Sequence, residues 1–390
     1  MDWNKLKVYY FDSFDIVKGD IVWGLVELGV TVEAPYGQIP LDEYEEKTLQ
    51  DLIRIIPGCD AVFTQNFSRV VAEACYQVGK QYISWVYDSP QKTLYDKEAF
   101  YETNYIFMFD KVQIRRLQKI GIKNIFYSPL AANILRANQI ALTEEDEKKY
   151  TCDISFVGNF YQKKYLEQFF ATLSEEGKKD LDAYLKKYVC FYNPSESAFG
   201  TAGEHLRQDL HRIVVNSNAM IEQEYLEDVL VLTRLLAREE RKEILSTCSK
   251  CFNTVVYTND TEVAKEVPGL QVNGAVNYET DLFRVNAFSK ICLSTTLKSI
   301  ESGVIQRVFD ILSIGGFVLS DPQPELFELF EVGKEVEVYH SMEELKDKAS
   351  YYLTHERERL TIALNGYKRV AKDYTYSVLL NKILETVFGT

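Results

Sequence analysis

Arg307 and Asp310 stand three residues apart in the stretch FSKICLSTTLKSIESGVIQRVFDILSIGGFVLSD, residues 288–321. Val304, Val308, Ile311 and Leu312 around them fall on one apolar face at helical spacing. A helix over about 304–314 therefore puts Arg307 and Asp310 side by side. A cation held near a diphosphate and a carboxylate held near a ribose diol suit such a face. The same spacing also describes a solvated surface pair worth a few tenths of a kcal/mol.

The elements around this pair decide between the two. Ile291–Leu293 is a short apolar run that suits a buried strand. Ser294, Thr295, Thr296, Lys298 and Ser299 follow as a polar loop, Ser302 as a candidate N-cap, and Gly315-Gly316 as the helix stop. Phe317–Leu319 reads as the next buried strand. Strand, loop, helix and strand make the unit of a parallel α/β sheet, whose ligands sit at strand carboxyl ends near helix N-termini.

Residues 1–140 repeat that rhythm. Apolar runs at 6–11, 30–33, 60–64, 81–87, 105–109 and 124–127 alternate with helical segments, and Gly29, Gly79 and Gly121 each stop a helix shortly before a strand. Two acids follow strands in this half, Asp12 after YYF and Asp88 after SWVY. Either can orient or deprotonate a hydroxyl, or simply close an Asx turn. Residues 139–150, QIALTEEDEKKY, read as a polar link. A second α/β region starts at 153–157 and is followed by Gly158-Asn159, a turn whose amides could face a phosphate. Residues 161–247 read as a helical insertion, interrupted by a loop at 192–203. Phe252–Tyr257 returns to the sheet.

Composition narrows the function. The 390-residue chain carries a formal net charge of −14, which disfavours unspecific binding to nucleic acid or anionic membrane. No apolar run reaches the length of a transmembrane helix, and the expected location is the cytoplasm. Seven scattered cysteines suit buried thiols in a reducing compartment. Cys248 and Cys251 lack a second ligand pair, and His205 and His211 are poorly spaced for one metal, so no metal site is expected.

Three runs, ISWVYDSP (83–90), YIFMFDK (105–111) and YSPLAANI (127–134), resemble the N-terminal domain of CgeB-like, spore-maturation-type glycosyltransferase-like proteins. The run SKICLSTTLKSIESGVIQRVFDILSIGGFVLSDPQPELFELFEVGKEVEVY (289–339) resembles the group 1 glycosyltransferase domain that accompanies it, and 351–376 resembles that domain's helical tail. The resemblance implies an α/β GT-B architecture: two Rossmann-like domains facing each other across a cleft, residues 1–140 on the acceptor side and 151–375 on the nucleotide-sugar side. A last helix, 376–390, is expected to pack back on the first domain.

The implied activity is metal-independent transfer of a sugar from a nucleoside diphosphate sugar, a UDP-sugar among the candidates, to a hydroxyl of a glycan or protein. No cofactor is implied beyond that donor. Arg307 would contact the diphosphate and Asp310 the ribose, with the hydroxyls of Ser294, Thr295 and Thr296 beside them. Gly158 and Asn159 are further candidates, and Tyr257 and Asn259 would border the base pocket by position. Asp88 is the candidate acceptor-side base. Two departures matter. Relatives carry Asn where this chain has Cys292 and Ser294. Retaining relatives also place an acid eight positions before the ribose acid, where this chain has Ser302. A non-catalytic GT-B-like binding or scaffold protein is the alternative.

Overall fold

The computed structural model describes residues 3–40, 44–161, 170–189, 202–215 and 221–389. The expected loop at 192–203 falls almost wholly outside them. The chain divides into two units: Met1–Asn133 with Ser302–Gln306 and Lys372–Thr390, and Ile134–Glu301 with Arg307–Ala371.

Unit 1 contains β1 (Lys7–Tyr10), α1 (Lys18–Glu27), β2 (Thr31–Glu33), α2 (Glu46–Ile55), β3 (Ala61–Gln65), α3 (Arg69–Val78), β4 (Gln81–Val86), β5 (Asn104–Met108), α4 (Lys111–Ile120) and β6 (Ile125–Tyr127). The strands form one parallel sheet in the order β2-β1-β3-β4-β5-β6. Every residue of β3 is buried, as a strand covered on both faces requires. Helices α3 and α4 end at Gly79 (φ 68°) and Gly121 (φ 114°), left-handed caps that turn the chain into the next strand.

Unit 2 begins with α5 (Ile134–Gln139) and α6 (Glu144–Tyr150). The stretch expected as a polar link is thus partly helical. Thr143 and Asp146 cap α6 reciprocally, and Tyr150 buries itself beside Tyr257 with ring centroids 6.3 Å apart. After β7 (Cys152–Val157) come α7 (Glu175–Tyr188), α8 (Glu204–Val215) and α9 (Ile221–Ser249). Leu181, Tyr184, Leu206, Leu210, Leu232 and Leu236 join these helices in an apolar cluster of their own. The end of α9 is different. Ile244, Leu245 and Cys248 enter the main core with Ile154, Val256 and Ile291, so the last part of the expected insertion is a layer on the sheet.

The rest of unit 2 is β8 (Thr254–Tyr257), α10 (Val263–Glu266), β9 (Gln271–Asn273), α11 (Asp281–Phe288), β10 (Ser289–Ser294), α12 (Gln306–Ser313), β11 (Val318–Ser320), α13 (Pro324–Leu329), β12 (Glu337–Val338), α14 (Met342–Thr354) and α15 (Glu356–Asp373). Its parallel sheet runs β12-β11-β10-β7-β8-β9. The final helix, α16 (Tyr376–Phe388), lies in unit 1. It packs on α1 so closely that a Cβ on Gly24 would stand 2.7 Å from Leu380.

Ser302 does not cap α12. Its Oγ donates to Asp110 Oδ1 at 2.8 Å and accepts from Val112 N at 3.2 Å, so it reinforces the cap of α4. Asp110 itself accepts from Val112 N and Gln113 N at 3.0 and 3.3 Å and from Ser89 Oγ at 2.8 Å. All of these groups belong to unit 1, and α12 starts only at Gln306.

Candidate nucleotide-sugar site

In unit 2 the strand order reverses direction between β7 and β10, because β8 and β9 continue to one side and β11 and β12 to the other. Such a switch point opens a crevice beyond the strand carboxyl ends. Two loops border it: Gly158-Asn159 after β7 and Thr295-Thr296 after β10.

Arg241, on α9, ties these two loops together. Its Nε donates to Thr295 Oγ1 at 3.1 Å, and its Nη1 donates to the carbonyl of Asn159. Its guanidinium carbon lies 5.6 Å from the Phe156 ring centroid, and Arg307 approaches the same ring at 5.3 Å. Gly158 leaves space for this: a Cβ there would meet the Phe156 ring at 2.7 Å and Arg307 Nη2 at 3.3 Å.

Two guanidiniums thus share one aromatic ring, and among the described residues neither forms an ion pair with a carboxylate or, for Arg307, a hydrogen bond. Burial and the neighbouring Arg241 cation push Arg307 down to about 10, while Asp310 opposes the shift. Arg307 remains charged at neutral pH. An anion placed here would relieve the repulsion between the two cations.

The nearby cations are spent differently. Arg238, one turn before Arg241, reaches Asp260 at 2.7 Å, Glu266 at 2.5 Å and the carbonyl of Phe160 at 3.0 Å. Lys298 pairs with buried Glu240 at 3.2 Å and lies 3.7 Å from buried Asp321. Asp321 also accepts from the amide and hydroxyl of Thr296, both at 3.0 Å. These bonds pin the β10–α12 loop.

The structure thus gathers Arg307, Gly158, Asn159 and Thr295 around Arg241 and Phe156. Asp310 is buried, and Tyr278 donates its phenolic hydrogen to Oδ1 at 3.0 Å. Ser294 Oγ is buried and has no hydrogen-bond partner among the described residues, and the hydroxyl of Thr296 is committed to Asp321. Tyr257 sits in the apolar cluster with Tyr150, Val255 and Val285, where burial raises its phenol to about 12. Asn259 is exposed in the loop after β8. Asp88 lies in unit 1, exposed, and accepts from Asn66 Nδ2 at 3.0 Å. Among the described residues no three His, Cys, Asp or Glu side chains converge as a metal site, and no helix is long and apolar enough to cross a membrane.

Sequence reasoning passed over Arg241. It lies in AREERKEIL, which reads as a solvated charged face, and its partner Asn159 is 82 residues away. The available signal was Arg238 and Arg241 at i, i+3 beside the apolar Ile244 and Leu245.

Two parallel six-stranded sheets with flanking helices place the chain in the GT-B fold. Residues 234–385 match the family model described as Glycosyl transferase-like. No curated protein matches the chain. Among solved structures, Alr3699/HepE of Anabaena in complex with UDP-glucose is 11% identical with a TM-score of 0.55, over 99% of this chain and 100% of that one. A glycosyltransferase from Rickettsia africae is 12% identical with a TM-score of 0.56, over the whole of both chains. The β-glucosyltransferase of phage T4, solved with its UDP-glucose substrate, is 11% identical with a TM-score of 0.52, over 99% of this chain and 100% of that one.

Proposed function

We propose that the protein is a glycosyltransferase that moves a hexose from a nucleoside diphosphate sugar, most simply a UDP-sugar, to an acceptor hydroxyl on a glycan or protein, without a metal. The observation that carries this reading is the pair of guanidiniums at the β7/β10 switch point. Among the described residues they have no carboxylate in ion-pair range, and both approach the ring of Phe156. Two fold neighbours hold UDP-glucose, which makes uracil the first base to try. The resemblance of the long run at 289–339 supports placement in the CgeB-like branch, for which a cytoplasmic location is expected.

In this reading Arg307 and Arg241 bind the diphosphate. Negative charge grows on the leaving phosphate as the bond to the anomeric carbon breaks. Cations already fixed in a desolvated crevice stabilise that charge without reorganising. The hydroxyl of Ser294, buried and without a partner among the described residues, and the amide of Asn159 supply further donors, whereas the Gly158 amide is spent on the carbonyl of Tyr257 at 3.0 Å and Gly158 serves by its lack of a side chain. Asp310 holds the ribose, with Tyr278 fixing its orientation. Tyr257 and Asn259 stand behind and beside the base, and Thr296 shapes the loop through Asp321. Asp88, oriented by Asn66, is a candidate for the acceptor side.

One observation favours the scaffold reading. Ser302, at the position where related retaining enzymes carry an acid, is spent on Asp110. Nucleotide binding separates the two. Thermal unfolding with UDP, GDP, ADP and TDP should show a stabilising shift with one of them; saturation at 100 times the dissociation constant adds about 2.7 kcal/mol. Arg307→Ala should abolish the shift. A folded wild-type protein unmoved by any nucleotide would turn the assignment to a scaffold.

A further inference from the structure

At the amino ends of β5 and β6 a cavity of about 450 Å³ opens in unit 1, walled by Tyr76, Phe100, Tyr101, Asn104, Gly121 and Asn124. Its size falls in the ~300–1,000 Å³ range of small-molecule clefts. Tyr76 comes from the last turn of α3, Phe100 closes a 3₁₀ turn over Lys97–Phe100, and Asn104 is the first residue of β5. The strands are parallel, so the loops that follow them, with Asp12 and Asp88, stand at the opposite end of the sheet. The six residues of β4 alone span about 20 Å.

The aromatic side of this cavity is fixed in place. Tyr76 and Tyr101 stack with ring centroids 4.2 Å and planes 15° apart. Tyr101 Oη donates to Glu73, three residues before Tyr76 on α3, so its ring is held at the face and at the tip. Phe100 lies over Gly121, where a Cβ would stand 3.5 Å from the ring. Phe100 and Tyr76 are nevertheless 43% and 47% exposed. Asn104 supplies the polar side. It is 1% exposed, and its Nδ2 donates to the carbonyl of Glu98 at 2.8 Å. Only the amide nitrogen can face a carbonyl, so this bond sets the orientation of the group. Oδ1 is then left buried, with no hydrogen-bond partner among the described residues. An amide oxygen only accepts, so what it lacks is a hydroxyl or an N–H. The charged residues of the wall are Glu102 and Lys123, one of each sign, so no net charge selects an ion.

We propose that this cavity binds a neutral saccharide, with one sugar ring laid against the aromatic wall and one hydroxyl donating to Asn104 Oδ1. A sugar ring has faces made of C–H bonds and a rim made of hydroxyls. The faces pack on aromatic rings, and the rim needs a few fixed acceptors in a site that is otherwise apolar. A wall that is already ordered loses little freedom on binding. A purely apolar occupant would leave Oδ1 desolvated and unanswered. An anion would bring negative charge to an acceptor oxygen and to Glu102. The length of the sheet separates the cavity from the loops after the strands, so it is a holding site and carries no transfer step. It does not depend on the glycosyltransferase reading, since a scaffold protein would carry it equally.

The test is ligand-observed saturation-transfer NMR on the full chain. The probes are α- and β-linked trisaccharides of glucose, mannose, galactose and N-acetylglucosamine, with adenosine and cytidine beside them. Expected is binding of at least one trisaccharide that persists in saturating UDP and in Arg307→Ala. Phe100→Ala should weaken it by about tenfold, the scale of one aromatic contact, and Tyr76→Ala/Phe100→Ala should abolish it. Phe100→Tyr keeps a ring and should bind as wild type does. Both side chains are half-exposed, so these variants stay folded, which thermal unfolding verifies. The fully O-methylated form of the same trisaccharide has no hydroxyl to donate and should not bind. Binding of that form as tight as the parent's overturns the role of Asn104 and with it the site. No binding by any trisaccharide, or binding of a nucleoside alone, overturns the proposal. So does a signal lost in Arg307→Ala and kept in the double aromatic variant, which would place the sugar at the β7/β10 crevice instead.

Discussion

The two switch points of this molecule carry opposite charge. At the β7/β10 crevice Arg241 and Arg307 face the same ring and, among the described residues, have no carboxylate in ion-pair range. At the β1/β3 crevice Asp15 is surrounded by hydroxyls, and Asp12 stands beside it with Lys18 as its counter-ion. Both sites grow from the same parallel architecture, in which strand carboxyl ends gather loops beside a reversal of strand order. The fold therefore provides two crevices whose rims differ in charge. In the proposed reading the cationic rim takes the diphosphate. A net charge of −14 for the whole chain hides this division.

The largest expected effect is at the cationic rim. Arg241→Ala removes one guanidinium and also releases Asn159 and Thr295, so nucleotide affinity should fall at least about a hundredfold, within the range for losing a buried charge partner. Arg241→Met should weaken nucleotide binding similarly yet leave the ligand-free protein as stable as wild type or more so. Replacing a buried cation that has no carboxylate partner among the described residues by an apolar side chain removes a desolvation cost, against the loss of its bonds to Thr295 and Asn159. Calorimetric titration and thermal unfolding of the two variants check this. A ligand-free protein markedly destabilised by Met would mean that the bonds to Thr295 and Asn159 outweigh the desolvation of the cation, and would erase the contrast.

A smaller effect is expected at the acidic rim. Burial alone would raise Asp12, but the amide of Asp15, Lys18 and Gln38 outweigh it and hold the carboxyl below its ordinary value. A depressed carboxylate contributes stability that is present above its unfolded pKa and is lost as pH falls through its folded value. Lys18→Met should remove part of that contribution, about 0.5 kcal/mol for so exposed a cation. Unfolding in urea at pH 7 and pH 3 should show a difference between variant and wild type that narrows at the lower pH.

The architecture was legible because its signals are local. Apolar runs of strand length, glycines at helix stops and the Gly315-Gly316 break lie within a few residues of the structure they dictate. Gly315 does take φ 75°. Arg307 and Asp310 were found by a spacing of three. The sites themselves were less legible, because they are assembled from distant segments. Arg241 meets Asn159 across 82 residues, and Ser302 meets Asp110 across 192. Ser302 looked like the cap of the helix that follows it, yet it serves a helix far earlier in the chain. Asp15 was passed over for a related reason. In FDSFDIV it is one of two acids in an apparent turn, and its difference from Asp12 lies in which partners fold around it.

That difference sets the smallest prediction. Asp15 is raised where Asp12 is lowered, although three residues separate them. A carboxyl whose folded pKa lies above its unfolded one binds more protons in the native state between the two values. Stability therefore falls as pH rises through that window, and the cost is fully present above the folded value. Asp15→Asn keeps an acceptor for Tyr10 or Ser13 and discards the charge, so at pH 7 it should raise the melting temperature by roughly 1–3 °C. Below the window the wild-type carboxyl is protonated, and the two proteins should melt together. A variant less stable than wild type at pH 7 would mean that the hydroxyl bonds outweigh the desolvation. Asp15 would then be a structural anchor of the loop like Asp12, and the two acids of the rim would no longer differ in kind.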